Sequence, residues 1–278
     1  MGTSSIYHGP NKSPLLPPDF DEPNSPNPEK ENINESEKQD NSGQSDNQRN
    51  ELRKEVTWTV VKSAFSKYAK GNSKNYKRLI SNYVKANGGA KNAARTLRSG
   101  IQSTANLGKF INSAYSSGFG EAFREANISF EGKSAKEIIN ELINYLAPIP
   151  TTKEDAVARK AIISSMEWLY QRLEEEGKDI TSLDKLDKET INLIIPIQIE
   201  NVINERILSD MGSRFEENSS SSSDTLRKEN EIKDYIVSKV EATFKNVDFT
   251  TLNFNENNIS KMVEDLYYKC YKVMEDME

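Results

Sequence analysis

Apolar side chains return every three or four residues along most of the chain beyond residue 51, the spacing of one face of an α-helix. In VTWTVVKSAFSKYAKG, Val56, Val60, Ala64 and Tyr68 form a four-residue ladder with Val61 and Phe65 beside it, and Gly71 closes the segment. A second helix is predicted over Tyr76, Leu79, Ile80, Tyr83 and Val84, stopped by the doubled Gly88–Gly89. The next stretch, AKNAARTLRSGIQSTANLGKFINSAYSSGFGEAF, is rich in Ala, Gly and Ser. Glycine inside a helix costs about 1 kcal/mol against alanine. Its small residues therefore either let helices approach closely or mark breaks near Gly100, Gly108 and Gly118.

Later helix starts are better marked. Ser134 and Glu137 make an S-x-x-E capping box ahead of Ile138, Leu142 and Leu146, and Pro148 and Pro150 stop that helix. Thr152 and Asp155 offer a weaker start for a helix carrying Val157, Ile162, Met166, Leu169, Tyr170 and Leu173, ending before Gly177. A further helix is predicted from about Lys188 to Met211 with Pro196 inside it. The isoleucine-rich LIIPIQI could instead form a short strand, but the helical spacing of ENVINERILSDM favours helix. A serine-rich loop over 217–224 precedes a helix bearing Ile232, Tyr235, Ile236, Val240 and Phe244. The last helix carries Ile259, Met262, Val263, Leu266, Cys270, Val273 and Met277. Strand-like alternation is missing, so the fold class is all-α: an irregular multi-helix bundle.

Composition changes the picture at the N-terminal end. Seven of the ten prolines lie within residues 10–28, and residues 29–50 hold one apolar side chain, Ile33. Such a stretch cannot offset an ordering entropy of roughly 1–2 kcal/mol per residue. The predicted organisation is a long disordered arm over 1–50, a basic, small-residue-rich helical region over 51–132 and an acidic helical region over 133–278. One cysteine precludes an intrachain disulfide. The start lacks a secretory pattern, and Ile6 stands where a myristoylation signal wants Ser or Thr. No apolar run is long enough to span a bilayer. A cytoplasmic protein is expected.

Little of this points to catalysis. His8 is the sole histidine and lies in the arm, so a nucleophile on the helical part has no imidazole base. Cys270 falls on the apolar stripe of its helix and reads as a core thiol. Zinc clusters, Walker loops and dinucleotide fingerprints do not occur, and Gly118–Phe119–Gly120 reads as a helix break. The run Glu174–Glu176 reads as a solvated face, and Trp58 and Trp168 as core. No enzyme activity, cofactor or metal site is expected.

Charge is unevenly placed. The chain carries −6 overall, yet Arg53–Lys109 holds thirteen Lys/Arg and a single acid, Glu55. Lys77, Arg78, Lys91, Arg95 and Arg98 are candidates for nucleic acid or an acidic partner. Tyr68, Tyr76 and Tyr83 are interleaved with the basic residues but share the spacing of Leu79, Ile80 and Val84, which places them in the core.

The opening, MGTSSIYHGPNKSPLLPPDF, keeps apolar anchors in a proline-rich setting. Removal of Met1 is expected because Gly2 is small. An α-amine has a pKa of about 7.7–8.0 against about 10.4 for lysine, so near pH 7 roughly one in seven is neutral, against a few lysines in ten thousand. The Gly2 nitrogen is thus the best nitrogen nucleophile in the chain. Gly-Thr-Ser-Ser is slim enough to enter a narrow pocket. Tyr7, Gly9, Pro10 and the P-x-x-P run of Pro14, Leu15, Leu16 and Pro17 supply docking features of low unfolded entropy. The end reads as something presented to another protein.

These residues resemble the start of the QatB family, the non-enzymatic helical component of Qat anti-phage defence systems in prokaryotes. The family begins Met-Gly-Thr-Ser, continues with a Gly-Pro stretch and a proline/leucine run, and then a variable polar linker. Here His8 stands where a second glycine is common. The block GGAKNAARTLRSGIQSTANLGKFI resembles the family's small-residue, Arg-containing region. The likeness covers residues 1–20 and roughly 88–112. It implies three partners: an ATPase (QatA), an enzyme similar to queuosine-pathway QueC (QatC) and a TatD-like nuclease (QatD). QueC-type enzymes use ATP to activate a carboxy-deazaguanine and join it to an amine. The resemblance therefore implies that Gly2 is modified with a 7-deazaguanine, that Thr3 and Ser4 enter the partner's active site, and that Ser5, Tyr7 and the residues to 20 dock. Two alternatives stand beside it: a helical protein binding nucleic acid through residues 53–109, and an unmodified scaffold docking through its proline-rich arm.

Overall fold

Ten α-helices and one short 3₁₀ turn make up the described residues, 56–177 and 185–276 of the computed structural model, and no strand occurs among them. The helices are α1 (Trp58–Ala69), α2 (Tyr76–Ala86), α3 (Gly89–Arg95), α4 (Arg98–Ser116), α5 (Phe119–Glu125), α6 (Ala135–Leu146), α7 (Lys153–Glu175), α8 (Lys188–Asn218), α9 (Ser222–Phe244) and α10 (Ile259–Glu275); the 3₁₀ turn is Phe249–Thr251. This is the all-α bundle that the spacing predicts. The expected arm, residues 1–50, lies outside the described residues.

The bundle is built around α8, which packs against α1, α4, α7 and α9. Ile194, Ile195, Ile199, Val202, Ile203, Ile207, Met211 and Phe215 have no exposed surface. A helix apolar on several sides has no solvent face to choose and goes to the centre. Each such side chain is worth about 1.5–3 kcal/mol when removed from water. LIIPIQI is therefore helix, with Pro196 buried inside it. Proline withholds the donor for the Asn192 carbonyl, and the apolar packing around it from neighbouring helices carries α8 through that defect. The two helical regions share one core, because α10 packs on α2, α3 and α4, and α1 on α8.

Several boundaries differ from the sequence reading. The inner face of α1 is Trp58, Val61, Phe65, Tyr68 and Ala69, whereas Val60 is half exposed. Trp58 decides this turn of the helix: its ring sits edge-on to Tyr83 at 5.6 Å. Phe65 and Tyr68 both meet Phe215 of α8 edge-on. Asn218 ends α8 seven residues past Met211, and the serine-rich loop shrinks to Ser219–Ser221. Ser221 caps α9 by accepting a hydrogen bond from the Asp224 amide, so the end of the serine run starts that helix.

Of the three glycines read as possible breaks, only Gly118, at φ +95°, interrupts the chain. Gly100 and Gly108 lie inside α4 as close-contact positions. A Cβ on Gly100 would sit 2.6 Å from Val202, and one on Gly108 would sit 2.0 Å from the buried Phe254 ring. Gly108→Ala is expected to lower stability by about 1–3 kcal/mol despite alanine's better helix propensity, because a buried ring must shift to admit the Cβ. Gly212→Ala in α8, where no neighbouring atom lies within 4 Å of the added Cβ, is expected to raise it by up to about 1 kcal/mol. Urea denaturation of the two variants reads both signs.

Candidate functional site

The candidates on the opening segment, Gly2, Thr3, Ser4, Ser5, Tyr7, Gly9, Pro10, Pro14, Leu15, Leu16 and Pro17, lie outside the described residues. The five cations are all described and all exposed, and none of them makes an ion pair among the described residues. They do not form one cluster. Lys77 and Arg78 sit in the first turn of α2, Lys91 and Arg95 on α3, and Arg98 opens α4 beside a different hollow that also takes in Asp155. The tyrosines are structural, as their spacing predicts: Tyr68 and Tyr83 are buried, and Tyr76 lies against the Tyr235 ring at 5.7 Å.

The strongest electrostatic centre is one the sequence reading did not single out. Asp210 of α8 gathers three other side chains. Its carboxylate accepts from the Tyr83 hydroxyl at 2.7 Å and from Arg206 Nε at 2.9 Å, and it pairs with Lys153 Nζ at 3.0 Å. The Arg206 and Asp210 side chains are 4% and 2% exposed. Burial opposes the Arg206 charge, but the Tyr83 and Asp210 oxygens outweigh it and push the guanidinium pKa above its ordinary value. Burial and the same carboxylate push the Tyr83 phenol well up. This centre joins α2, α7 and α8. A sequence signal existed: Arg206 and Asp210 stand one turn apart between Ile203, Ile207 and Met211, where an unpaired charge would not be tolerated.

Other buried polar groups also join helices. Ser165 of α7 donates to the Ala161 carbonyl or to Gln198 Oε1, and its oxygen accepts from Asn201. α4 lacks a side-chain cap of its own. Instead Glu154 Oε1 accepts from the Ser99 amide at 3.0 Å, and Asp155 Oδ1 from the Ser99 hydroxyl at 2.7 Å. Hydrogen bonds from Ser99, Thr152 and Thr151 hold the Asp155 carboxyl down at about 2. The two acids thus serve the starts of α4 and α7 together. Lys228 of α9, itself buried, donates to the Ala69 carbonyl and to Asp224, while Tyr68 donates to Glu231 at 2.6 Å, pinning α1 to α9.

None of these networks presents a nucleophile beside a base. Burial pushes the Cys270 thiol well up, in line with its reading as a core residue. Among the described residues no group of three or more His, Cys, Asp or Glu side chains is placed to hold a metal. No described helix is long and apolar enough to cross a membrane.

Glu200 of α8 is a carboxyl moved into the physiological range. Burial raises it, the Glu241 carboxylate adds to the rise and Lys233 opposes it, leaving it at about 7. The folded chain therefore keeps a proton that the unfolded chain, titrating near 4.3, releases. Stability from this group is present below pH 4.3 and lost as the pH climbs through 7. Glu200→Gln is expected to flatten that slope and to be about 1–3 kcal/mol more stable than the parent at pH 8, read by urea denaturation across pH.

The family model described as Qat anti-phage system associated protein QatB matches residues 88–274. The chain belongs to the QatB family. The QatB match runs from α3 through almost all of α10, so it takes in Lys153, Arg206 and Asp210 of the buried centre, though not Tyr83, and the joint between α4 and α7. It includes the block at 88–112 that carries part of the sequence resemblance, and α1 and α2 lie before it. As a QatB-family protein the chain is a component of a Qat anti-phage defence system, and its partners are to be sought among the other Qat components. No curated protein and no solved structure matches the chain significantly.

Proposed function

We propose that this QatB-family protein is a protein substrate within Qat defence. With Met1 removed, the Gly2 amine is joined by the QueC-like partner to a 7-deazaguanine. The deazaguanine carboxylate attacks the α-phosphorus of the partner's ATP, pyrophosphate leaves, and an acyl-adenylate forms. The neutral Gly2 nitrogen attacks the acyl carbon, AMP leaves with the bonding pair, and the nitrogen gives up a proton as the amide forms. Thr3 and Ser4 follow Gly2 into the partner's site, and Tyr7, Gly9, Pro10 and Pro14–Pro17 dock. The helical body is the carrier.

The observation that carries this reading is QatB-family membership, and amine chemistry supports it. Acylation needs an unprotonated nitrogen, and the α-amine supplies that form a few hundred times more often than a lysine. Lys188 and Lys272 are pushed further the other way, through hydrogen bonds to Asp248 and Asp276. Lys228 is tied up inside the fold. With Met1 removed, 56 residues precede Trp58, a covalent length of at most roughly 200 Å at about 3.5 Å per residue.

Intact-mass and peptide mass spectrometry of the full chain, co-produced with the other Qat components, tests the reading. The expected result is a single addition on the peptide beginning at Gly2, lost when the QueC-like partner is omitted. An unmodified Gly2 in cells that resist phage would overturn it.

A further inference from the structure

The face formed by α1 and α2 carries a cleft that neither the Asp210 centre nor the joint between α4 and α7 uses. Two hollows of about 660 and 520 Å³ share Asn75, Arg78 and Asn82 in their walls. Lys67 borders the first, and Lys77 and Lys85 border the second. No carboxylate lines either hollow. That follows from the sequence, since residues 56–120 contain eleven Lys/Arg and no Asp or Glu. None of the four cations is ion-paired among the described residues.

Folding alone gives no reason for this arrangement. Four like charges around one cleft repel each other. Lys77 and Arg78 also occupy the first turn of a helix, where the backbone dipole favours acids. The first turns of α6, α7, α8 and α9 carry acids there: Glu137, Glu154 with Asp155, Glu189 and Asp224. A bound polyanion would reverse the repulsion in the cleft.

The chemistry of the walls selects the kind of polyanion. Besides its cations the cleft offers hydroxyl and amide groups from Thr59, Ser63, Ser73, Asn75 and Asn82. Arg, Lys, Ser, Thr and Asn side chains are the set that binds phosphodiester oxygens. An acidic protein segment would need an aromatic or deep apolar anchor point. The aromatics here are committed elsewhere, with Tyr68 and Tyr83 in the core and Tyr76 against Tyr235. The same commitment leaves no platform on which a base could stack.

We propose that the α1–α2 cleft binds the phosphodiester backbone of a nucleic acid through Lys67, Lys77, Arg78 and Lys85, without reading its bases. The cleft lies ahead of the QatB match, and its function does not depend on the state of Gly2.

The test is fluorescence anisotropy of the full-length chain with two 20-base-pair DNA duplexes of unrelated sequence, between 50 and 200 mM salt. Both duplexes are expected to bind alike. Log affinity should fall against log salt with a slope near −3.6, about 0.9 for each of four phosphates. Lys77→Glu with Arg78→Glu should weaken binding at least about tenfold and reduce that slope by about 1.8. Lys91→Glu with Arg95→Glu, an equal charge change on α3, should have a much smaller effect. All four substituted side chains are exposed, and circular dichroism melts confirm that each variant is folded. Three results would overturn the proposal. One is no binding at 50 mM salt. A second is equal loss in the two variants, which would mean diffuse attraction. The third is a poly-glutamate peptide of equal charge binding more tightly than the duplex, which would assign the cleft to an acidic protein.

Discussion

Asp210→Ala is expected to destabilise the helical body by about 3–5 kcal/mol, the cost of removing one member of a buried ion pair. In a body of this size that is a fall of about 10 °C in Tm. The reason is the position of Arg206. Its side chain is 4% exposed and its guanidinium keeps its charge, so removing Asp210 takes a carboxylate away from a buried cation, and from the Tyr83 hydroxyl and Lys153 as well. Water can reach Lys153, whose side chain is 44% exposed, and relieve it; the Arg206 side chain is 4% exposed, so water does not replace the lost carboxylate there. Replacing the pair together, Arg206→Met with Asp210→Leu, should recover most of the loss, because an apolar pair of similar volume does not need desolvated charges to be matched. Thermal denaturation of the single and double variants checks both expectations. A single variant as stable as the parent would show that the buried Arg206 charge does not depend on Asp210.

Gly2→Pro is expected to abolish phage protection while leaving the melting of the helical body unchanged. Proline at position 2 still permits loss of Met1, so the free end remains. Its nitrogen, however, becomes part of a ring, a more crowded secondary amine that cannot rotate about its N–Cα bond. A nitrogen that must reach an acyl carbon in a narrow pocket loses both its slimness and its choice of approach. Plaque counts should return to those of cells lacking the system, and the mass addition at residue 2 should disappear. Full protection from the Gly2→Pro protein would refute the modification reading. It would leave the nucleic-acid cleft untouched, since that rests on α1 and α2.

Helix type and many boundaries were legible because they depend on neighbours in sequence. Ser134 with Glu137 and Thr152 with Asp155 form the capping boxes that their spacing predicts. Gly71, Gly88 and Gly177 follow helix ends at positive φ, as a residue without a Cβ allows. Gly100 and Gly108 were ambiguous for the opposite reason. Whether a glycine ends a helix or admits a neighbour depends on Val202 and Phe254, about a hundred or more residues away. Val60 and Val61 are equally apolar, and only the seat of Trp58 against Tyr83 decides which faces inward. The candidate cations were legible as a charge run, but their division among α2, α3 and the start of α4 was not. Asp210 was passed over because an i, i+4 pair on a helix usually faces solvent; here Tyr83 and Lys153 arrive from other helices.

From the sequence alone came the helical class, the acid-free stretch from 56 to 120, the core character of Cys270 and the chemistry available to a glycine amine. Each depends on residue type and local spacing, which folding does not alter. Tertiary structure decided which helix takes the centre, which glycines are contact points, which charges are buried in matched pairs and which cations are left to face one cleft. Those outcomes depend on distances between residues far apart in the chain, and one-dimensional spacing carries no such distances.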